Sequence, residues 1–150
     1  HGDVHTLETS TSGYLGGLSL RLAVGAHADR VAGPLGLRPL PEDRVTLVDA
    51  RDLDPAEADY LSTAAIHRRP VTDVEVPDGP VVLHIDLDVI DAAELPGLLF
   101  PVPDGPSTDA VVEAVRRILD SGRVVALSIA CPWHPADDPR RAELLTALTT

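Results

Sequence analysis

Val81-Val82-Leu83-His84-Ile85 and Val124-Val125-Ala126-Leu127-Ser128-Ile129 are short, rich in β-branched side chains and almost continuously apolar. Strands read this way when a parallel sheet is covered on both faces. Between them Ser107 stands where a helix N-cap is needed. Ala110, Val111, Ala114, Val115, Ile118 and Leu119 then recur at the spacing of one helix face up to about Asp120, where Ser121-Gly122 stops the helix. Strand, helix of about fourteen residues and strand make a βαβ unit, so residues 81–86 and 124–129 are expected to be neighbouring, parallel and joined by a right-handed crossover. Elsewhere Val45 to Val48 reads as a strand, and Asp54-Pro55 opens a helix with Asp54 as cap. Gly17 to about Gly25 reads as a short buried helix, Val71 to Val76 alternates like a short strand, and residues 138–149 read as a terminal helix. Residues 33–43 carry three prolines, and residues 95–106 four prolines and two glycines, so both are connections. The fold class is α/β with a mostly parallel sheet.

The first apolar run ends in His84-Ile85-Asp86-Leu87-Asp88-Val89-Ile90-Asp91. Side chains two apart on a strand share a face, so His84, Asp86 and Asp88 are expected together at its C-terminal end, where open α/β sheets bind ligands. Two carboxylates gathered there repel each other unless something positive lies between them, and hard divalent cations are the natural remedy. The chain opens on a second cluster, His1-Gly2-Asp3-Val4-His5-Thr6. The two segments together point to a two-metal hydrolase.

Composition narrows the partners. A net charge of −12 over 150 residues argues against nucleic acid and anionic membrane surfaces, and no apolar run approaches a membrane span. The expected partner is a small-molecule substrate. Cys131 is the only cysteine, so no intrachain disulfide forms and a cytoplasmic location is the default expectation. All twelve basic residues are Arg, and the chain has no Met. Because it begins inside an apparent site motif, it is expected to be the C-terminal part (residues 1–150) of a single larger domain, the alternative being trimming of a disordered start.

At these residues the sequence resembles the arginase/agmatinase (ureohydrolase) family. His1-Gly2-Asp3 is similar to the second half of that family's D-A-H-x-D motif, and His84 to Ala92 to its S-x-D-x-D-x-x-D-P motif. Thr9-Ser10-Thr11-Ser12-Gly13, Arg51-Asp52-Leu53-Asp54-Pro55-Ala56-Glu57 and Leu95-Pro96-Gly97 match further segments in order. The resemblance implies a three-layer arginase-like α/β fold with N-terminal strands missing from this chain, and a homo-oligomer. It implies two Mn²⁺ ions, with His1, Asp3, Asp86 and Asp88 as ligands and Asp86 bridging. It implies hydrolysis of a guanidino, amidino or related compound through a hydroxide held by both metals. Ser12 and Asp54 would contact substrate, with Asp52 and Glu57 supporting that loop. His5 is expected to tune the site or contact substrate, Asp91 to tie down the loop after the strand, and His27 and His67 to be surface residues.

The departures bear on function. Only four of the six ligands implied by the family are present. Gly16 stands where many members carry a His near the substrate, and Cys131 where they carry a Glu that pairs with the guanidinium. Cys131 is therefore expected in the substrate pocket wall, and no residue is assigned as catalytic. Two functions compete: a manganese-dependent ureohydrolase-type enzyme, and a non-catalytic arginase-like protein kept for binding or assembly. The Gly16 and Cys131 departures favour the second. Retention of Asp3, Asp86 and Asp88 favours the first, since a degenerate scaffold has no physical need of clustered carboxylates.

Overall fold

The structure is a computed structural model that describes residues 1–130, 133–134 and 139–149. It comprises two compact units, His1–Arg69 and Pro70–Thr150.

In the first unit residues 1–14 form an irregular loop fastened by main-chain hydrogen bonds: His5 N–H donates to Gly17 O at 3.0 Å, and Leu20 and Arg21 N–H to Asp3 O at 3.0 and 3.2 Å. The expected buried helix over 17–25 is a 3-10 turn, Leu15–Leu18, running into the five-residue α1, Ser19–Ala23; only Leu18 is buried. Gly25 ends it with φ +112°. β1 (Thr46–Val48) leads to α2 (Pro55–Thr63), which leads to β2 (His67–Arg69), parallel to β1 with Leu47 opposite Arg68. The core of this unit is Val4, Leu61 and Ile66, with Leu20, Val45, Leu47, Leu53 and Tyr60 packed against them. β2 escapes a sequence reading because its three side chains, His67, Arg68 and Arg69, are all exposed and show no apolar alternation.

In the second unit β3 (Val81–Asp86) runs into a 3-10 turn, Leu87–Val89, and after the Pro/Gly loop comes α3 (Thr108–Asp120), then β4 (Val124–Ala130) and α4 (Pro139–Ala147). β3 and β4 pair in parallel, from Val82 opposite Ala126 to Asp86 opposite Ala130, with one register shift at Val81/Val82. The expected neighbouring parallel strands are therefore present. Ser107 Oγ accepts from Ala110 N–H at 3.2 Å, and Val111, Ala114, Val115 and Ile118 form the buried face of α3. Coverage on both sheet faces is not observed: Val82 is 69% and Val125 68% exposed. Nor is Val71 to Val76 a strand. Val71–Asp73 is a 3-10 turn closed by Asp73 N–H on Pro70 O, and the carbonyls that follow are met by side chains, Val74 O by Arg117 and Val76 and Pro77 O by Arg123. Among the described residues no helix is long and apolar enough to cross a membrane.

Tyr60 joins three elements of the first unit. Its hydroxyl donates to Glu42 Oε1, Glu42 Oε2 accepts from Ala65 N–H, and the Arg21 guanidinium lies 3.8 Å above the Tyr60 ring. The hydrogen bonds from Tyr60 and then Ala65 hold the Glu42 pKa below its ordinary 4.5, while burial and then the bond to Glu42 push Tyr60 up to about 12. The signs follow by linkage. Glu42 contributes stability that is present above pH 4.5 and is lost as pH falls through its lower folded value. Tyr60 contributes stability that is full below 10.0 and is lost as pH rises toward about 12. Tyr60→Phe should therefore lower the melting temperature at neutral pH, with the gap to the parent narrowing in acid. An equal gap at pH 3 and pH 7 would contradict this assignment.

Candidate metal and substrate site

Each unit carries its own set of candidate residues. In the first, Asp3 sits in the left-handed region with φ +53°, a conformation that Asp tolerates better than most residues and that recurs at functional sites. His1 Nε2 lies 3.4 Å from Asp52 Oδ2. Gly2 is buried, and a Cβ there would fall 2.7 Å from Leu53 Cδ2 and 3.0 Å from Glu57 Oε1, so a larger residue would have to displace these side-chain ends.

Glu57, 5% exposed, is the brace of this region. Its Oε1 accepts from Val4 N–H and its Oε2 from Asp54 N–H, both at 3.1 Å, so one carboxylate ties the His1–His5 loop to the first turn of α2. His5 makes a second tie: Nε2 lies 3.0 Å from Asp54 Oδ2 and Nδ1 3.0 Å from Thr9 Oγ1, which also accepts Thr6 N–H. A carboxylate only accepts, so Nε2 donates to Asp54, while Nδ1 shares its hydrogen bond with the Thr9 hydroxyl. His5, Asp54 and Glu57 thus bring potential ligand atoms within 4.8 Å of one another. Both Glu57 oxygens and the His5 Nε2 proton are engaged inside the cluster, which reads as a hydrogen-bonded brace rather than a cation site. Ser12 is exposed, and its Oγ accepts from Tyr14 N–H at 3.2 Å. A side chain at Gly16 would meet the Tyr14 ring.

In the second unit Asp86 closes β3, and its Oδ1 accepts from Asp88 N–H at 3.3 Å; Asp88 is 4% exposed. The loop behind them is held by Asp91, whose carboxylate accepts from Ala93 N–H at 2.8 Å and Gly105 N–H at 2.9 Å, the structural part expected of it. His84 gains a role the sequence did not suggest: its Nδ1 shares a 3.1 Å hydrogen bond with Ser128 Oγ, the residue opposite it in β4. His27 is likewise more than a surface residue, since its Nε2 accepts from Leu7 N–H at 3.1 Å and steadies the first loop. Cys131 lies outside the described residues. Taken unit by unit, the donor types are an imidazole and a carboxylate in the first (His1 and Asp3) and two carboxylates in the second (Asp86 and Asp88), types that suit a hard divalent ion such as manganese.

By fold the chain is similar to solved arginases. It superposes on the crystal structure of arginase from Bacillus cereus with a TM-score of 0.83 at 26% identity, covering 99% of this chain and 57% of that one. By sequence it is 33% identical over 155 residues to the N(omega)-hydroxy-L-arginine amidinohydrolase of Streptomyces lavendulae, and 30% identical over 143 residues to arginase of Bacillus subtilis strain 168. Those matches cover 99% and 84% of this chain but 54% and 48% of the relatives, so the chain spans about half their length. The Arginase family model matches residues 1–148, and the chain belongs to the arginase family.

Proposed function

We propose that the whole protein is a manganese-dependent C–N hydrolase of a guanidino compound, with His1, Asp3, Asp86 and Asp88 among the ligands of two ions. The observation that carries the reading is that a chain of this family keeps all four donors, in segments whose backbone is fixed for other reasons. Asp3 is pinned through its carbonyl, Asp86 ends a paired strand, and Asp88 lies in the 3-10 turn that follows it. Bound manganese supplies a Lewis acid that lowers the pKa of water and polarises the substrate carbon. The chain's own part is orientation: Ser12 and Asp54 meet the polar end of the substrate, and Glu57 holds the loop that bears the donors against α2.

Cys131 bears on substrate choice. A neutral thiol cannot make the bidentate charge-assisted pair that a carboxylate makes with a guanidinium. An N-hydroxyguanidine is less basic than a guanidine, because the hydroxyl withdraws electron density, and so depends less on such a pair. The relative from Streptomyces lavendulae is by its name an enzyme of N-hydroxy-arginine. The expected substrate is accordingly a less basic or substituted guanidine. Plain arginine should bind roughly ten- to a hundredfold more weakly than in an enzyme with the acid, and Cys131→Glu should recover part of that loss. Steady-state assays of urea and hydroxyurea release from L-arginine and N-hydroxy-L-arginine test this. Arginine turnover of ordinary efficiency in the unmutated protein would refute the role given to Cys131.

A further inference from the structure

The His27 ring faces two partners that one nitrogen cannot serve together. Its Nε2 accepts from Leu7 N–H at 3.1 Å, and the same Nε2 lies 3.3 Å from Glu8 Oε2. Accepting the amide needs the bare lone pair, whereas pairing with the carboxylate needs a proton on that nitrogen. With the ring neutral and its proton on Nδ1, Leu7 is held and the Glu8 oxygen faces a lone pair. With the ring protonated, Glu8 is satisfied and Leu7 N–H loses its acceptor. The ring has little room to ease the conflict. His27 sits in the left-handed region at φ +51°, its carbonyl accepts from Arg30 and Val31 N–H at 2.9 and 3.1 Å, and its side chain is 15% exposed. The charges gathered here are the Glu8 carboxylate, 70% exposed, and Arg30, which acts on the same carboxylate. Hydrogen bonds from the Thr6 side chain and then the Glu8 backbone, with smaller help from His27 and Arg30, hold the Glu8 pKa below its ordinary 4.5, so it is charged wherever an imidazole titrates. Leu7 itself lies in a turn over residues 6–10, closed by Thr6 N–H on Thr9 Oγ1 at 2.9 Å and Ser10 N–H on Thr6 O at 3.1 Å.

We propose that His27 is a proton-operated latch on this turn: the neutral ring holds Leu7 N–H, and the protonated ring releases it and takes the Glu8 carboxylate. An imidazole gains its proton between about pH 8 and pH 5, so acidification across that range loosens the turn. The same turn presents the Thr9 hydroxyl to His5 Nδ1, so the latch sets how firmly residues 5–10 are held. Losing a hydrogen bond of ordinary net strength lowers the protection of its amide roughly two- to tenfold. The proposal does not depend on the hydrolase reading above.

The test is hydrogen–deuterium exchange of the whole protein over a pH series from about 8 to 5, the range of imidazole titration. The Leu7 amide is resolved by fragmentation, and each rate is divided by the intrinsic rate at that pH. In the unmutated protein the protection of Leu7 should fall roughly two- to tenfold as pH falls, while amides inside α3 keep theirs. His27→Gln offers Leu7 an amide oxygen that accepts without titrating, so the fall should vanish. Glu8→Gln removes the charge that favours the protonated ring, so the fall should move to lower pH. That second variant decides the matter if the glutamine at position 27 folds poorly or leaves Leu7 unprotected throughout. Leu7 protection independent of pH in the parent, a fall undiminished in His27→Gln, or a fall at the same or higher pH in Glu8→Gln would each overturn the proposal.

Discussion

Asp86→Ala should take manganese binding in the whole protein from two ions to fewer than one per chain and reduce hydrolysis by at least about a thousandfold, since the Lewis-acid contribution amounts to several kcal/mol. Asp86 is the last residue of β3, and its carboxylate already orders the turn to Asp88 by accepting that residue's N–H. The substitution is not expected to unfold the second unit. β3 and β4 stay paired through their main chains, and Asp91 holds the following loop through Ala93 and Gly105 independently of Asp86. Metal analysis after gel filtration, with circular dichroism to confirm folding, is the check. Undiminished manganese in a folded Asp86→Ala protein would remove Asp86 from the proposed ligand set.

The largest effect on stability is expected at Glu57. It is buried, and it supplies both acceptors for Val4 N–H and Asp54 N–H. Glu57→Ala leaves those two donors without acceptors, at about 1–3 kcal/mol each. The expected loss is about 2–6 kcal/mol in chemical denaturation. The first unit should give way, because Val4 belongs to its core with Leu61 and Ile66. Glu57→Gln retains one acceptor oxygen and should lose less than the alanine variant. A loss below about 0.5 kcal/mol for Glu57→Ala, the range of ordinary surface changes, would show that the brace is not needed.

How much could be read from the sequence depended on whether a residue's partner was local. β3, α3 and β4 were legible because apolar runs, a Ser107 cap and a Gly122 stop are short-range signals that agree with one another. Asp54 was legible as a helix start for the same reason. The alternation of Val71, Val74 and Val76 with polar residues imitates a strand, but Pro70 and Pro77 bound it and the guanidinium groups of Arg117 and Arg123 take its carbonyls. That outcome depends on residues more than forty positions away. β2 carried no apolar signal at all. Of the proposed ligands, His1, Asp3, Asp86 and Asp88 were legible as residue types at motif spacing. The His5–Asp54 bond, across 49 positions, and the His84–Ser128 pair, across 44, were not, because they exist only once the strands and the loop are in place. The tight surroundings of Gly2 were hidden too, since Leu53 and Glu57 reach it only in the fold.

The account stands most directly on one measurement: product release by the whole protein, purified, loaded with manganese and offered N-hydroxy-L-arginine and L-arginine, with a chelator-treated sample alongside. Hydroxyurea or urea should form with manganese, cease on chelation and return when the metal is restored, with the N-hydroxy compound turned over more efficiently. A folded, manganese-loaded protein that releases neither product from either compound would contradict the account and leave a non-catalytic member of the family.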